Sequence, residues 1–232
     1  MKATHRSMRR HRSRGLSLIG LLVGTAMGLV VVAGAGSVVA AHQRDQRAAL
    51  SQARLMQDLR ATSELVARDL RRAGYWSAAA SGVRIDGDVS APLVNPHASI
   101  APALAPSSTV ALSFSNGERI AVAVDDSERF GFRLRGGAIE LQLGAGNWQA
   151  LNDPATLVVT TFRVEPHVEE ISLAAFCAAP CVVGSTVCPP RQQIRSFAVS
   201  LAGRSVTDAA ITRSLHTRVR ARNDAVIGSC EG

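Results

Sequence analysis

The side chains best suited to chemistry in this chain are four cysteines in its last third. They are Cys177, Cys181, Cys188 and Cys230. In an oxidising compartment an even number of cysteines indicates up to two disulfide bonds, here with three possible pairings. A bond from Cys230 to the loop of residues 177–188 would anchor the C-terminus. A zinc site is the alternative, but the Cys-x3-Cys and Cys-x6-Cys spacings contain no CxxC pair and no nearby histidine completes a familiar ligand set.

The other reactive side chains form no known catalytic motif. The six histidines form no HExxH motif, and the sequence contains no GxSxG elbow, Walker loop or dinucleotide-binding fingerprint. Asp86-Gly87-Asp88 and Asp125-Asp126-Ser127-Glu128 carry the carboxylates that calcium prefers, yet both lack the full loop spacing and are more often turns. We therefore expect neither an enzyme nor a protein that holds a metal or a cofactor.

Three arginines alternate along the last predicted strand, residues 211–222. The strand has an apolar face of Ile211, Leu215, Val219 and Ala221 and an opposite face with Arg218, Arg220 and Arg222, the arginine row. At the usual rise of a strand the row is about 13 Å long. It could contact DNA phosphates or an acidic surface of a partner. A solvated strand face is the more common explanation, and few aromatic side chains lie nearby to stack on bases.

The elements that position these residues begin with a basic N-terminal leader. The chain has 232 residues and a net charge of +8; six basic residues precede Gly15, and the first acidic residue is Asp45. Without residues 1–15 the chain keeps 20 basic and 18 acidic residues, a net charge of +2. The high isoelectric point therefore reports the leader rather than a nucleic-acid-binding body. The 47% hydrophobic content excludes a disordered or multiply membrane-spanning chain.

An uncharged apolar stretch follows the leader. Residues 16–41 are small or apolar except for three hydroxyl side chains, and a helix of this length covers roughly 39 Å, more than the apolar thickness of a bilayer. The positive charges before it predict a cytoplasmic N-terminus and an exported body. A cleaved secretory signal is the alternative, because Ala33-Gly34-Ala35 and Val39-Ala40-Ala41 offer small residues to a signal peptidase. The stretch is longer than a usual signal, however.

An amphipathic helical pattern continues from the apolar stretch. Residues 43–73 contain no Gly or Pro, and their apolar side chains recur three, four and seven residues apart. These side chains are Leu55, Met56, Leu59, Val66, Leu70 and Ala73. Charged residues lie largely between them, and Gly74 provides a stop signal. We therefore expect a long helix whose second half presents an apolar face to a folded body.

The remainder of the chain has the pattern of a β-rich body. Strand signals flank two turn dipeptides: residues 109–115 and 119–125 flank Asn116-Gly117, and residues 129–135 and 138–143 flank Gly136-Gly137. Three further strands are predicted at residues 157–165, 194–201 and 211–222. We expect an α+β fold in which the long N-terminal α-helix, transmembrane in one half and amphipathic in the other, packs against an antiparallel β-sheet.

The beginning of the apolar helix resembles a known processing signal. The run Arg14-Gly15-Leu16-Ser17-Leu18-Ile19 resembles the cleavage and methylation signature of type IV prepilins and type II secretion pseudopilins. Asp69-Leu70-Arg71-Arg72-Ala73-Gly74-Tyr75-Trp76 is similar to the helix-ending segment of PilW-type minor pilins. Arg220-Ala221-Arg222-Asn223 is similar to the Arg-Asn that often follows the last strand in this superfamily.

This resemblance implies a type IV pilin-like fold and a division of the chain. A membrane-embedded prepilin peptidase would cut after Gly15 and methylate the new amino group of Leu16. The expected parts are a cleaved leader (1–15), a transmembrane and filament-core helix (16–41), an amphipathic exported helix (42–74) and a loop-rich β-sheet head with a C-terminal disulfide region (75–232). Leucine at the first mature position, where phenylalanine is commoner, is a mild departure.

The chain departs further from the family pattern at the fifth mature position. The family usually carries a glutamate there, which is thought to pair with the amino terminus of a neighbouring subunit inside the filament core, and this chain has Gly20. Some tip pseudopilins also lack this glutamate, which implies a subunit at the filament tip or in an initiation complex. Gly20, Gly24 and Gly28 recur on one helix face, where small residues let another membrane helix approach. The alternative is that glycines are simply common in membrane helices.

The resemblance implies a minor pilin-like structural subunit that starts or caps a type IV pilus. Its expected partners are prepilin peptidase, other minor and major pilins and the inner membrane. Its expected location is a single pass through the inner membrane with a periplasmic head, and the pilus tip or base after assembly. Two alternatives remain: a membrane-tethered or pilus-tip module that binds DNA or a surface ligand, and a minor pseudopilin of a type II secretion system.

Overall fold

A single long helix, α1 (Leu18–Arg72), dominates the first third of the chain. The computed structural model describes residues 17–82, 93–117 and 123–230, and the chain divides into two compact units, Met1–Ala49 and Leu50–Gly232. The 55 residues of α1 include no proline, and the glycines are confined to its first half, so nothing interrupts the helical hydrogen bonds. The helix ends one residue before its predicted end, ahead of Gly74.

In the first unit, the described part of α1 is apolar and exposed. Residues 17–47 are all exposed, and the most apolar 18-residue window has a mean hydropathy of 2.3. By length and composition this helix can cross a membrane. Its apolar surface is too large to remain in water, so a bilayer or other helices must cover it.

In the second unit, the amphipathic half of α1 buries one face against the sheets. Its buried residues are Leu55, Leu59, Thr62, Ser63, Val66, Ala67, Asp69 and Leu70. Their spacing of three and four residues is that of one helical face. Five of the six predicted apolar positions are buried, and the sixth, Met56, is half-buried. Each fully buried Leu or Val stabilises the packing by about 1.5–3 kcal/mol, so this face attaches the helix to the body.

Within the described residues, eight strands form two antiparallel sheets. The first sheet has the order β1-β2-β3-β4 and consists of β1 (Thr109–Ser113), β2 (Arg129–Arg135), β3 (Ala138–Leu143) and β4 (Trp148–Ala150). The second has the order β5-β6-β7, with β8 also paired to β6, and consists of β5 (Leu157–Ser172), β6 (Arg191–Ser205), β7 (Thr212–Arg220) and β8 (Ala225–Ile227). The expected α+β class is confirmed, with two sheets in place of one.

Alternation along the strands gives the second sheet a buried face. Phe197 and Leu201 of β6 are almost completely buried, as is every second residue between Phe197 and Ser205. β5 keeps the same alternation through a bulge between Val159 and Thr161, which returns Phe162 to the buried face opposite Leu201. The bulge therefore lets two long strands share one core without a slip in register.

One predicted hairpin is wrong, because β1 pairs with a different strand. Thr109 of β1 lies opposite Arg133 of β2. On the other side of β1, Ala111 exchanges two backbone hydrogen bonds with Ala101, so a return strand cannot pair there. Of the predicted return strand, residues 119–122 lie outside the described residues and 123–125 are not in a strand. The observed pairing places completely buried Val110 beside completely buried Phe132. This burial outweighs the local turn preference of an Asn-Gly dipeptide.

The second predicted hairpin is confirmed with both of its strands. β2 and β3 have the predicted bounds and are joined by Gly136 and Gly137, whose φ angles are +59° and +80°.

β5 and β6 extend well beyond their predicted ranges to form a long two-stranded arm. Residues of β5 near its tip are exposed on both faces, so the burial alternation that predicts a strand is missing there.

Candidate functional site

The predicted processing residues precede the described part of the helix. Gly15 and Leu16 lie outside the described residues, so cleavage and methylation at this point stay predictions. Ser17 is the first described residue, and its carbonyl oxygen accepts a hydrogen bond from the amide of Leu21 at 3.1 Å. Within the described residues, α-helical hydrogen bonding is therefore present from the second position after the predicted cut.

The glycine stripe of α1 lies on an open helix surface. A Cβ atom added at Gly20, Gly24 or Gly28 would meet no atom within 4 Å. At a spacing of four residues the three positions are neighbours on one face. The stripe is therefore a shallow strip accessible to another helix, and close packing there stays a prediction.

The two short motifs that resemble minor pilins meet at the end of α1. The side-chain amide of Asn223 donates to the carbonyl oxygens of Arg72 and Ala73, at 3.3 and 3.1 Å. The backbone amide of Arg222 donates to the carbonyl oxygen of Arg71 at 3.1 Å. The last carbonyls of a helix have no partners within the helix, so the segment after β7 supplies them. We call this cluster the helix-end junction.

Gly74 directs the chain away from the helix-end junction. Its φ of +78° lies in the region that favours glycine. Its amide donates to Ser113 of β1 at 3.0 Å, and its carbonyl accepts the side-chain amide of Asn95 at 2.9 Å. A Cβ at this position would lie 3.2 Å from a guanidinium nitrogen of Arg195. The backbone conformation therefore favours glycine here, and a larger residue would also force the Arg195 guanidinium to shift by a few tenths of an ångström.

Arg195 of β6 completes the helix-end junction, and the sequence analysis did not identify it. Its guanidinium donates to the carbonyl oxygens of Ala98 and Asn223, the latter at 2.9 Å. Burial lowers the pKa of Arg195, and the carboxylate of Asp224 acts in the opposite direction. No local pattern distinguishes this arginine from exposed ones, because its partner at Ala98 is 97 residues away in sequence.

The arginine row is exposed, but it extends past the end of a strand. Arg218 and Arg220 lie on the exposed face of β7, while Val219 between them is 2% exposed and faces the core. Arg222 follows β7 and is also exposed. Arg220 lies 2.9 Å from a carboxylate oxygen of Asp224. Arg218 and Arg222 have no ion-pair partner among the described residues, so two of the three cations are available to a ligand.

All four cysteines are paired in disulfide bonds. Cys177 is bonded to Cys230, and Cys181 to Cys188. The first bond fastens the C-terminal segment to the loop, which is one of the pairings that the sequence left open. The zinc alternative is wrong, because no thiolate remains to bind a metal. β8 lies close to this bond in sequence and pairs with residues 191–193 of β6, which adds a second attachment.

The acidic cluster before β2 forms a turn. Asp125 accepts the backbone amide of Ser127 at 2.9 Å, and Glu128 accepts the amide of Asp125 at 3.2 Å, a capping box around a short 3-10 helix. Asp86-Gly87-Asp88 lies outside the described residues. In the part of the chain that is described, no group of histidine, cysteine and carboxylate side chains could hold a metal ion.

A buried histidine lies beside this turn and carries no sequence signal. His97 is 0% exposed, its Nε2 is 3.7 Å from a carboxylate oxygen of Glu128, and neither ring nitrogen has a hydrogen-bond partner among the described residues. Burial lowers the pKa of His97, and the nearby Glu128 carboxylate opposes this effect. The imidazole is therefore neutral near pH 7 and acts as a core side chain.

One comparison with known proteins gives a match. A family model described as prepilin peptidase-dependent protein B matches residues 48–221, which is 174 of the 232 residues. The matched range includes the amphipathic half of α1, both sheets as far as β7 and three of the four cysteines. No curated protein and no solved structure matches the chain. The processing residues and the glycine stripe lie outside the matched range.

Proposed function

Because the chain belongs to the prepilin peptidase-dependent protein B family, we propose that it is a minor pilin-like subunit that helps to start or cap a type IV pilus. The family description supports processing by prepilin peptidase. The observation that carries the proposal is an exposed apolar helix that begins directly after Gly15-Leu16 and continues into the family-matched segment.

The proposed mechanism is packing, without a catalytic step. The bilayer covers the apolar surface of residues 18–41 before assembly, and neighbouring pilin helices cover it afterwards. Prepilin peptidase cuts after Gly15, and Leu16 becomes the methylated amino terminus. The glycine stripe is the face of α1 where another pilin helix approaches most closely. The protein is not an enzyme in this proposal.

The proposed topology places the head in the periplasm. Six basic residues before α1 keep the N-terminus in the cytoplasm by the positive-inside rule. Two disulfide bonds in the last third of the chain fit an oxidising compartment on the other side of the membrane. The protein therefore starts as a single-pass inner-membrane protein and leaves the membrane when a pilus assembles.

Gly20 supports a position at the tip or in an initiation complex. A glutamate here would be an expensive buried charge in the filament core unless the amino terminus of another subunit neutralised it. With glycine no such partner is needed, which suits a subunit that precedes the others. The resemblance of residues 69–76 to PilW-type minor pilins favours a pilus over a type II secretion pseudopilus.

Mass spectrometry of the mature N-terminus tests the proposal. The full chain is produced in a Gram-negative inner membrane with and without prepilin peptidase. We expect a peptidase-dependent start at N-methylated Leu16. Gly15→Val should abolish the cut, and Gly34→Val, a matched exchange deeper in α1, should leave it intact. An intact Met1, or a start near Gly36 or His42, would contradict the proposal.

The arginine row favours a second candidate function, in which the head binds DNA or an acidic surface ligand. Arg218 and Arg222 are exposed cations without ion-pair partners among the described residues, as a phosphate-binding surface requires. Replacement of Arg218, Arg220 and Arg222 by glutamine separates the functions. Loss of ligand binding with normal pili would support the binding module, and normal binding in the triple variant would exclude the row as its site.

A further inference from the structure

The free edge of β7 is the feature from which a further interaction follows. β7 pairs with β6 without a bulge, from Thr212 opposite Arg204 to Arg220 opposite Ser196. It contains neither proline nor glycine. In the part of the chain that the structure describes, no strand pairs with its other side. Such an edge offers unpaired amides and carbonyls to another strand.

The residues that flank β7 show which of its backbone groups point to the free edge. The carbonyl oxygen of Ile211 accepts the amide of Ser205 at 3.0 Å, and the amide of Ala221 donates to Arg195 at 2.9 Å, both towards β6. In an antiparallel strand the amide and carbonyl of one residue point the same way, and the direction alternates along the chain. The residues that point outward are therefore Thr212, Ser214, His216, Arg218 and Arg220.

The opposite edge of the same sheet is blocked. Val164 of β5 exchanges two backbone hydrogen bonds with Ser107, at 2.8 and 2.9 Å. By the same alternation, Pro166 points a ring nitrogen without a hydrogen to this outer side. The amide of Val159 is also used, since it donates to Gly137 at 2.8 Å. A strand can therefore be added at β7 and not along this part of β5.

The side chains beside the free edge are basic. β7 contains no acidic residue, and two of its three arginines, Arg218 and Arg220, lie on the exposed face. Arg218 and Arg222 have no ion-pair partner among the described residues, whereas Arg220 forms an ion pair with Asp224. An added strand would place side chains about 4.5–5.5 Å from their neighbours on the exposed face of β7. Carboxylates at alternate positions of that strand would lie within reach of these guanidinium groups.

We propose that the free edge of β7 binds an extended, acidic segment of another subunit, which adds a strand to the second sheet. Backbone hydrogen bonds to Ser214, His216 and Arg218 supply affinity, and the arginines select carboxylates at alternate positions. That the partner is a subunit of the same assembly rests on the proposed function, whereas the strand-binding edge does not. A second copy is not the expected occupant, because its own β7 edge is equally basic and its β5 edge is blocked from Val159 to Pro166.

Hydrogen exchange with a model strand tests this proposal on the purified full chain in detergent micelles. The probe is a synthetic peptide of about nine residues in which Glu alternates with Thr, and the control peptide has Lys in place of Glu. We expect the Glu peptide to slow exchange at the amides of Ser214, His216 and Arg218 by at least about tenfold, as new backbone hydrogen bonds form. The Lys peptide should give no protection.

Two variants separate the contribution of the β7 backbone to peptide binding from the contribution of the arginine charges. Ser214→Pro removes an outward amide without breaking a β6–β7 hydrogen bond, and we expect about tenfold weaker binding of the Glu peptide. Ser214→Ala keeps the amide and should bind like the unaltered chain. Arg218→Gln leaves the backbone intact and should weaken binding by about threefold, an effect that added salt removes.

Three results would overturn the proposal. They are absence of protection at millimolar Glu peptide, protection confined to residues outside β7, and equal affinity of the Ser214→Pro and Ser214→Ala variants. Protection of β7 that rises with protein concentration alone would show that a second copy occupies the edge, and would overturn the choice of partner. If prepilin processing fails while the peptide binds as expected, only the proposed function is wrong.

Discussion

The side chain of Asn223 connects the segment after β7 to the end of α1, which lies 150 positions earlier in the chain. Its amide satisfies the carbonyl oxygens of Arg72 and Ala73, which the helix itself leaves unpaired. We expect Asn223→Ala to lower the free energy of unfolding by about 1 kcal/mol, because the half-buried carbonyl of Ala73 loses its donor, whereas the exposed carbonyl of Arg72 keeps the amide of Tyr75. Urea unfolding of the full chain in detergent measures this change.

The matched control for Asn223 is the exposed Asn147 before β4. Its side chain makes no hydrogen bond within the described residues, so Asn147→Ala should change the free energy of unfolding by less than about 0.5 kcal/mol. Equal losses in the two variants would show that the helix-end junction adds nothing to stability.

His97 makes the stability of the head depend on pH. Because burial lowers its pKa, the unfolded chain takes up a proton near the ordinary histidine value of 6.5 and the folded chain only at lower pH. Between these values the unfolded state binds more protons, so the free energy of unfolding falls as pH decreases below about 6.5. We expect His97→Gln to remove this part of the pH dependence in urea unfolding curves at pH 5–8.

Measurements at pH 8 isolate the packing cost of the His97→Gln exchange. The histidine is neutral there in both states, so any difference between the variant and the unaltered chain comes from packing and not from protonation. If the two chains lose stability in parallel between pH 7 and pH 5, another group causes the pH dependence.

At the scale of elements, the two disulfide bonds constrain the chain to different degrees. Cys177–Cys230 closes 53 residues, whereas Cys181–Cys188 closes 7. From loop entropy alone, we expect the double variant Cys177→Ser/Cys230→Ser to lower the free energy of unfolding by about 4 kcal/mol. The double variant Cys181→Ser/Cys188→Ser should lower it by about 2.5 kcal/mol. Each pair serves as the control for the other in denaturant unfolding. A larger loss on removal of the short bond would contradict the entropic explanation.

The helix α1 shows that one element can have two environments. Its first half is apolar on all sides, which is typical of a helix covered by lipid or other helices. Its second half has one buried face, between Leu55 and Leu70. The change from one pattern to the other is visible in the sequence, because polarity on the outer face begins only after Gln43.

At the scale of the whole molecule, Gly20 distinguishes a tip subunit from a shaft subunit. If the protein acts only at the tip, we expect Gly20→Glu to give no more pili than the unaltered chain, because no preceding amino terminus is present to pair with the carboxylate. A shaft subunit should assemble more readily with the glutamate. The measurement is the number of pili per cell by electron microscopy, with the variant as the sole copy. Incorporation along the shaft, seen by immunogold labelling, would contradict the tip position.

Gly24→Glu is the control for this exchange, because it places the same carboxylate one helical turn away. No amino terminus is expected near that position in either kind of subunit, so the buried charge should impair assembly by an unpaired desolvation cost. A gain from Gly20→Glu that Gly24→Glu does not share would identify a shaft subunit and contradict the tip position.

Much of the fold could be predicted from the sequence because its signals are local. The apolar stretch, the amphipathic face from Leu55 to Leu70 and the β2–β3 hairpin depend on residue periods and on glycines at positive φ. The predicted hairpin at Asn116-Gly117 is wrong because strand pairing is not a local property. The partner of β1 is the distant strand that buries Val110, and the turn preference of two residues contains no information about that strand.

The apolar helix and the β-rich, cysteine-containing body could be predicted from the sequence alone, because composition and periodicity follow from neighbouring residues. The disulfide pairing, the capping of α1 by Asn223 and the burial of Arg195 and His97 depend instead on the folded structure. Apart from the Cys181–Cys188 bond, these features join residues from 28 to 151 positions apart, and nothing local to either partner specifies the other. The free edge of β7 belongs to this second group, since an edge exists only once all the strands have found their neighbours.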